Sequence, residues 1–278
     1  MKDKIVLITG ANTGMGKITA LELAKMGARI VMVCRNKTTG QAAQKEISNC
    51  VSNSKVDLLI CDLSSQKEIR DLSVQIHATY PRIDVLVNNA GLALTNFTET
   101  REGIETTFAT NVLSMYLLTI LLADLLKKAP SGRVVNIASS THTQAKLKLD
   151  DIEYRHKYSL FGAYNQSKLC NIILTNEFAK KFAGSNVTVN SLNPGPVKTE
   201  LARDMSVIFK IMGKLFFLAP EKASQTAIYL ASSPEVTKVT GKYFIKNKAV
   251  ASSKISTDME IGKKLWNICA KMTNADMS

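Results

Sequence analysis

No run of eighteen uncharged apolar residues occurs in this 278-residue chain, so nothing in it reads as a bilayer span. The nearest stretch, 205–219, is interrupted by Lys210 and Lys214. The five cysteines (34, 50, 61, 170, 269) are scattered, odd in number and never in C-x-x-C spacing. That argues against a zinc site, a redox dithiol or a disulfide framework, and no metal is expected. Such cysteines fit a reducing cytosol as small core residues, and a cytoplasmic location is expected. No Pro/Gly/Ser-rich linker, low-complexity run or internal repeat divides the chain, so 1–278 reads as one domain with a substantial core. No signal peptide is expected, because a strand-like run starts almost at the first residue. Nucleic-acid motifs are missing and aromatics do not alternate with the basic residues, which argues against a nucleic-acid partner. What remains of the net charge of +13 is a general positive field. It suits a polyanionic small ligand, or loose peripheral contact with an anionic membrane.

What the chain does have is concentrated first in Lys4 to Gly16, KIVLITGANTGMG. A buried strand runs into a turn with glycines at 10, 14 and 16, and a helical pattern follows at once. Glycine lets backbone approach a phosphate, and the helix N-terminus points N–H groups and positive dipole at it. The spacing predicts a dinucleotide site; a tight turn with no ligand is the alternative.

Strand-like runs then alternate with helical ones. Arg29 to Cys34, Lys55 to Cys61, Ile83 to Asn88, Arg133 to Ala138, Val187 to Leu192 and Lys242 to Ile245 read as strands two to seven. Gly27 reads as a helix C-cap, and Ser65 to Glu68 as a capping box. Residues 102–128 read as one long helix, about 160–182 as another, and 250–278 as a tail with a terminal helix. The alternation predicts an α/β, Rossmann-type doubly wound parallel sheet of about seven strands, with helices on both faces. Ligands then belong at the C-terminal strand ends.

Those ends carry the chemistry. No carboxylate stands near the end of strand two to grip an adenosine ribose; Arg35 stands there, and a guanidinium suits a 2′-phosphate. That points to NADP(H); a solvated surface arginine is the other reading. Asp62, after strand three, accepts from an adenine amino group or caps the next helix. Asn88-Asn89-Ala90-Gly91, at the end of strand four, lets a flat cofactor lie close, ties loops together, or is a plain turn. Tyr164 and Lys168 are four apart and share a helix face. An ammonium there favours the phenolate and lowers a pKa that is otherwise near 10. Ser139-Ser140 precede them at the end of strand five, where a hydroxyl can orient a substrate oxygen. Asn193-Pro-Gly-Pro-Val-Lys-Thr199 brings backbone toward the nicotinamide end, with Val197 and Thr199 as contacts to carboxamide or phosphate. Residues 200–218 are rich in Leu, Met, Val, Ile and Phe, and read as a lid over a lipophilic substrate; plain core packing or an oligomer contact is the other reading. His142 either touches substrate or is ordinary polar surface.

TGANTGMG, NNAG, Asn111, Ser140, YNQSK and NPGPVKT, in this order, resemble the short-chain dehydrogenase/reductase family. GKYF at 241–244 and LWNICAKM at 265–272 resemble its retinol-dehydrogenase-like branch. The resemblance implies Tyr164 as acid-base, Lys168 as the group that tunes it and holds the ribose, and Ser140 on the substrate oxygen. It also implies Asn111 as the holder of a relay water. The implied cofactor contacts are Gly10, Asn12, Thr13, Gly14, Met15, Gly16, Arg35, Asp62, Leu63, Asn88, Ala90, Gly91, Tyr164, Lys168, Pro194, Gly195, Val197 and Thr199. The expected activity is NADP(H)-dependent interconversion of a lipophilic alcohol and its aldehyde or ketone. A non-catalytic NADP(H)-sensing module and a double-bond reductase are the alternatives, and a homo-oligomer is compatible with the family. Ser114 and Asn193 depart from the branch, which usually has Gly and His there, and the N-terminal anchor common in the branch is not expected here.

Overall fold

The computed structural model describes residues 1–195 and 219–277. The first run forms β1 (Ile5–Thr9), wholly buried, and leads through the glycine turn into α1 (Gly14–Lys25). Gly27, at φ +86°, ends that helix as expected. β2 (Arg29–Cys34), α2 (Lys37–Cys50), β3 (Val56–Ile60), α3 (Gln66–Thr79) and β4 (Val85–Asn88) continue the alternation. Asn36 caps α2, its Oδ1 accepting from Thr39 N at 3.0 Å. Ser65 caps α3, but Glu68 reaches back to the Asp62 amide at 2.7 Å rather than to the Ser65 amide. The expected capping box is thus widened to include Asp62.

The long helix is not continuous. It runs as α4 (Thr106–Phe108), a π-helical turn at Ala109–Leu113, α5 (Ser114–Leu121) and α6 (Ala123–Lys127). Its apolar spacing does not reveal the break, because Ala109–Thr119 is buried all round rather than on one face. β5 (Gly132–Ile137) follows, then a 3₁₀ turn at Ser140–Gln144, α7 (Leu160–Lys181) and β6 (Val187–Asn193). α8 (Pro220–Ser232), β7 (Tyr243–Ile245), β8 (Lys248–Val250), a second 3₁₀ turn at Lys254–Thr257 and α9 (Met259–Thr273) complete the described chain.

The sheet has eight strands in the order β3-β2-β1-β4-β5-β6-β7-β8. All neighbours are parallel except β8, which folds back on β7 through Lys246 and Asn247, both at positive φ. This short, exposed strand is the one the sequence reading lacked: KAV flanked by lysine carries little strand signal. Alternate residues of each strand face opposite layers. Leu7, Val31, Leu86 and Val134 pack with Ile69, Leu118, Leu169 and Phe178; Val6, Ile30, Val85 and Val135 pack with Leu23, Ile47 and Leu230. Burial of each such side chain contributes roughly 1.5–3 kcal/mol. The strand order reverses between β1 and β4, and the crevice at their C-terminal ends is where α1 begins.

Candidate active site

The glycine turn is shaped by close approach. A Cβ on Gly16 would sit 2.4 Å from Gly10 O and 2.5 Å from Asn89 Nδ2. Gly10 and Gly14 hold φ of +65° and +54°. Asn89 laces the turn to β4: its Nδ2 donates to Thr9 O at 2.8 Å and Gly10 O at 3.1 Å. Thr9 Oγ1 in turn accepts from the Asn89 and Ala90 amides at 2.9 and 3.0 Å. Asn88 points the other way, donating to Asn136 Oδ1 at 2.8 Å and Thr119 Oγ1 at 3.2 Å, while Asn136 donates to Thr175 Oγ1 at 2.9 Å. The Asn88 side chain therefore joins a buried polar ladder across the sheet.

The start of α1 fits a phosphate. Thr13, its N-cap, makes no side-chain cap bond, and the first turn carries no acid. A Cβ on Gly14 would meet nothing within 4 Å, so open space lies over the uncapped N–H groups. Asn12 turns aside to donate to Thr39 Oγ1 at 3.0 Å, and Met15 packs into the core. Arg35 is exposed between β2 and α2, with no hydrogen bond or ion pair among the described residues. Asp62 Oδ1 accepts from Ser64 N at 3.0 Å and Ser64 Oγ at 2.8 Å, an Asx turn; it does not cap α3. Leu63 is buried against the sheet.

Tyr164 and Lys168 share a face of α7, as their spacing requires. Lys168 Nζ lies 5.6 Å from the Tyr164 ring centroid and donates to Ile137 O at 3.0 Å. A Cβ on Gly91 would lie 3.4 Å from that Nζ, so glycine there keeps the ammonium's surroundings open. The expected lowering of the phenol is not seen in this state. Burial pushes Tyr164 up to about 12 and brings Lys168 down to about 8, because desolvation disfavours both charged forms.

Of the two serines, Ser139 is the one whose hydroxyl acts on Tyr164, holding its pKa down against that burial. Ser140, expected in this role, is exposed in the 3₁₀ turn, where its carbonyl accepts from Thr143 Oγ1. The reason is strand geometry: β5 ends at Ile137, and the chain turns after Ser139, which caps the 3₁₀ turn. Thr141 donates to Ser139 Oγ from both N and Oγ1, each at 3.2 Å.

Asn111 sits in the π-helical turn, buried. Its Oδ1 accepts from Leu92 N at 2.8 Å, and its Nδ2 donates to Leu92 O and Ser167 Oγ, both at 2.9 Å. These bonds fix the loop after β4 against α7, so the side chain acts as a brace, and an isolated mid-helix Asn gives no sign of that in sequence. Gln166, which the sequence reading passed over, donates to Ile152 O at 3.0 Å and accepts from Lys148 N at 2.8 Å, holding the 141–158 loop to α7. His142 is not polar surface: it is 2 % exposed. Gly195 has φ +84°, and its amide donates to Asn193 Oδ1 at 3.1 Å, which shapes the turn at Pro194. Val197, Thr199 and the 200–218 segment lie outside the described residues.

The sequence model of the short chain dehydrogenase family matches residues 4–207. Retinol dehydrogenase 13 of Homo sapiens is 38% identical over 282 residues, covering 98% of this chain and 85% of that protein. Retinol dehydrogenase 14 of Homo sapiens is 36% identical over 291 residues, covering 98% and 87%. An uncharacterised Mycobacterium paratuberculosis protein of known crystal structure superposes with a TM-score of 0.82 at 27% identity, over 100% of this chain and 96% of that one. The chain belongs to the short-chain dehydrogenase/reductase family, as an oxidoreductase of CH–OH and C=O groups. Within it, the retinol-dehydrogenase-like branch is where its relatives fall.

Proposed function

We propose that this chain interconverts a lipophilic alcohol and its aldehyde or ketone with NADP(H), with Ser139, Tyr164 and Lys168 as the working residues. The observation that carries the reading is that Lys168 and Tyr164 of α7 stand together at the end of β5, where Lys168 bonds Ile137 O, on the sheet edge at which α1 also begins uncapped. The nicotinamide, when bound, supplies or accepts the hydride at its ring carbon. The glycine turn and α1 amides would hold the pyrophosphate, Arg35 the 2′-phosphate, and Lys168 the nicotinamide ribose. Ser139 donates to the substrate oxygen and fixes its position. Tyr164, protonated at neutral pH with its pKa near 12, gives its proton to that oxygen in reduction and recovers one in oxidation. Reduction therefore falls on the alkaline side first as Lys168 loses its proton at about 8, well before the phenol titrates, whereas oxidation rises with pH.

The test is oxidation of NADPH against NADH with a panel of aldehydes and ketones that includes retinal, a choice prompted by the relatives. NADPH-preferring turnover, abolished by Tyr164→Phe with cofactor still bound, is the expected result. An NADH preference would remove Arg35 from the proposal, and near-native turnover of Tyr164→Phe would remove the acid-base assignment. A reducing, cytoplasmic compartment remains part of this reading, supported by five unpaired cysteines.

A further inference from the structure

His142 lies three residues beyond Ser139, inside the first 3₁₀ turn. Its Nδ1 is 2.7 Å from Ser139 O, and its Nε2 is 3.2 Å from Ser253 N. A carbonyl only accepts and an amide N–H only donates, so one ring form satisfies both: Nδ1 carries the proton and Nε2 is bare. The ring also packs edge-on against Tyr243 of β7, centroids 5.0 Å apart. Ser253 begins a short strap between β8 and the second 3₁₀ turn. Ser256 knots that strap through Ser252 Oγ and Ser253 O at 2.7 and 2.6 Å, and Asn176 Nδ2 of α7 donates to Ser256 O at 2.8 Å. The Ser253 hydroxyl is buried without a partner among the described residues, so its amide makes the bond to the turn. The contacts run as a chain from Ser139 through His142, Ser253 and Ser256 to Asn176, on the same helix α7 that carries Tyr164.

We infer that His142, as a neutral Nδ1–H imidazole, is a positioning residue that sets Ser139 against Tyr164 by pinning the Ser139 turn to the 252–256 strap. This rests on Ser139 and Tyr164 acting as proposed above. Protonation at Nε2 would set two donors face to face and release the strap. Facing the ring are the Ser139 carbonyl, the Ser253 amide and the Tyr243 phenol, which burial holds up at about 12 and therefore neutral. No carboxylate or ammonium among the described residues contributes to the shift of the imidazole, which burial moves below its ordinary value. Its neutral form thus persists to somewhat below the usual histidine pKa of roughly 6.5 and is lost as pH falls further.

Carbonyl reduction isolates this titration. Tyr164 and Lys168 are both needed protonated in that direction, so acid removes neither, and an acid limb that disappears when residue 142 cannot titrate reports His142. The experiment is the pH profile of kcat/KM for reduction of nonanal and retinal, in native protein, His142→Gln and His142→Phe, with circular dichroism at each pH. Glutamine offers an oxygen to the Ser253 amide and does not titrate. The expected result is an acid limb in native protein that is missing in His142→Gln. For His142→Phe, kcat falls by roughly 10- to 100-fold near neutral pH, since misplacement of about 1 Å costs that much, while the nicotinamide KM holds. The limb persisting in folded His142→Gln, or native kcat in folded His142→Phe, overturns the inference. Should His142→Phe not fold, the glutamine profile decides. A native protein that reduces no carbonyl refutes the proposed function instead. Ring ¹⁵N spectra then test His142 alone: a proton on Nε2 at neutral pH would overturn the assignment.

Discussion

A hydroxyl helps a carbonyl oxygen only when its own proton is free to point there. Ser139 meets that condition because Thr141 donates to its Oγ twice, so its own O–H is left to donate. Ser140, one residue on, is turned to solvent. Ser139→Ala is expected to lower kcat by roughly 10²–10³-fold, the usual cost of losing one preorganised donor, while Ser140→Ala leaves it near native. Steady-state kinetics on the two variants decides between them, and the reverse ranking would reinstate Ser140. The sequence presents the two serines as equals. Which one faces Tyr164 depends on where β5 stops, and strand ends are set by tertiary hydrogen bonds that local pattern does not encode. His142 was illegible for the same reason: its partner at Ser253 is remote in the chain, and a buried loop histidine looks like any other.

At the scale of elements, the glycine turn was readable because its chemistry is local. Strand, turn and helix are contiguous, and Gly10, Gly14 and Gly16 each announce a backbone constraint. Of the polar braces, only the loop tie made by Asn89 was among the readings of NNAG; those of Asn111 and Gln166, to partners 19 and 14 residues away, carry no local signal. Gly16 offers the sharpest test of the turn. A methyl there must displace Gly10 O and Asn89 Nδ2, which are bonded to each other at 3.1 Å, the amide being held to Thr9 O as well. Gly16→Ala is expected to weaken nicotinamide binding by at least about tenfold and to lower Tm by a few degrees, in line with roughly 1–3 kcal/mol for overpacking. Calorimetric titration and thermal unfolding read the two effects; native affinity would mean that the turn does not touch the cofactor. The break in the long helix belongs here too. A π-helical turn inserts one residue's worth of slack and lets Asn111 face Leu92 and Ser167 at once, an outcome that a hydrophobic repeat conceals.

For the molecule as a whole, the parallel order and both helical layers followed from strand–helix alternation, and only the antiparallel edge strand β8 escaped it. Among the described residues no helix is long and apolar enough to cross a membrane. The charge of +13 acts at this scale, through a field rather than a contact. Encounter with a polyanionic dinucleotide should slow as salt rises, because the Debye length shrinks from about 10 Å at 0.1 M toward about 3 Å at 1 M. The expected outcome is a kcat/KM for NADPH that falls steadily with ionic strength while kcat at saturation stays level. A flat kcat/KM would mean that the positive charge lies away from the entrance.

The ladder from Thr119 through Asn88 and Asn136 to Thr175 ties two helices to two strands beneath the site. Each rung is satisfied by its neighbour, so loss of one amide leaves a buried group unpaired at about 1–3 kcal/mol, more than the net worth of the bond itself. Viewed over generations rather than in one molecule, these four positions form a ratchet. A lineage can leave the ladder only by changing partners together, or by crossing a valley in which the fold is weaker than at either end.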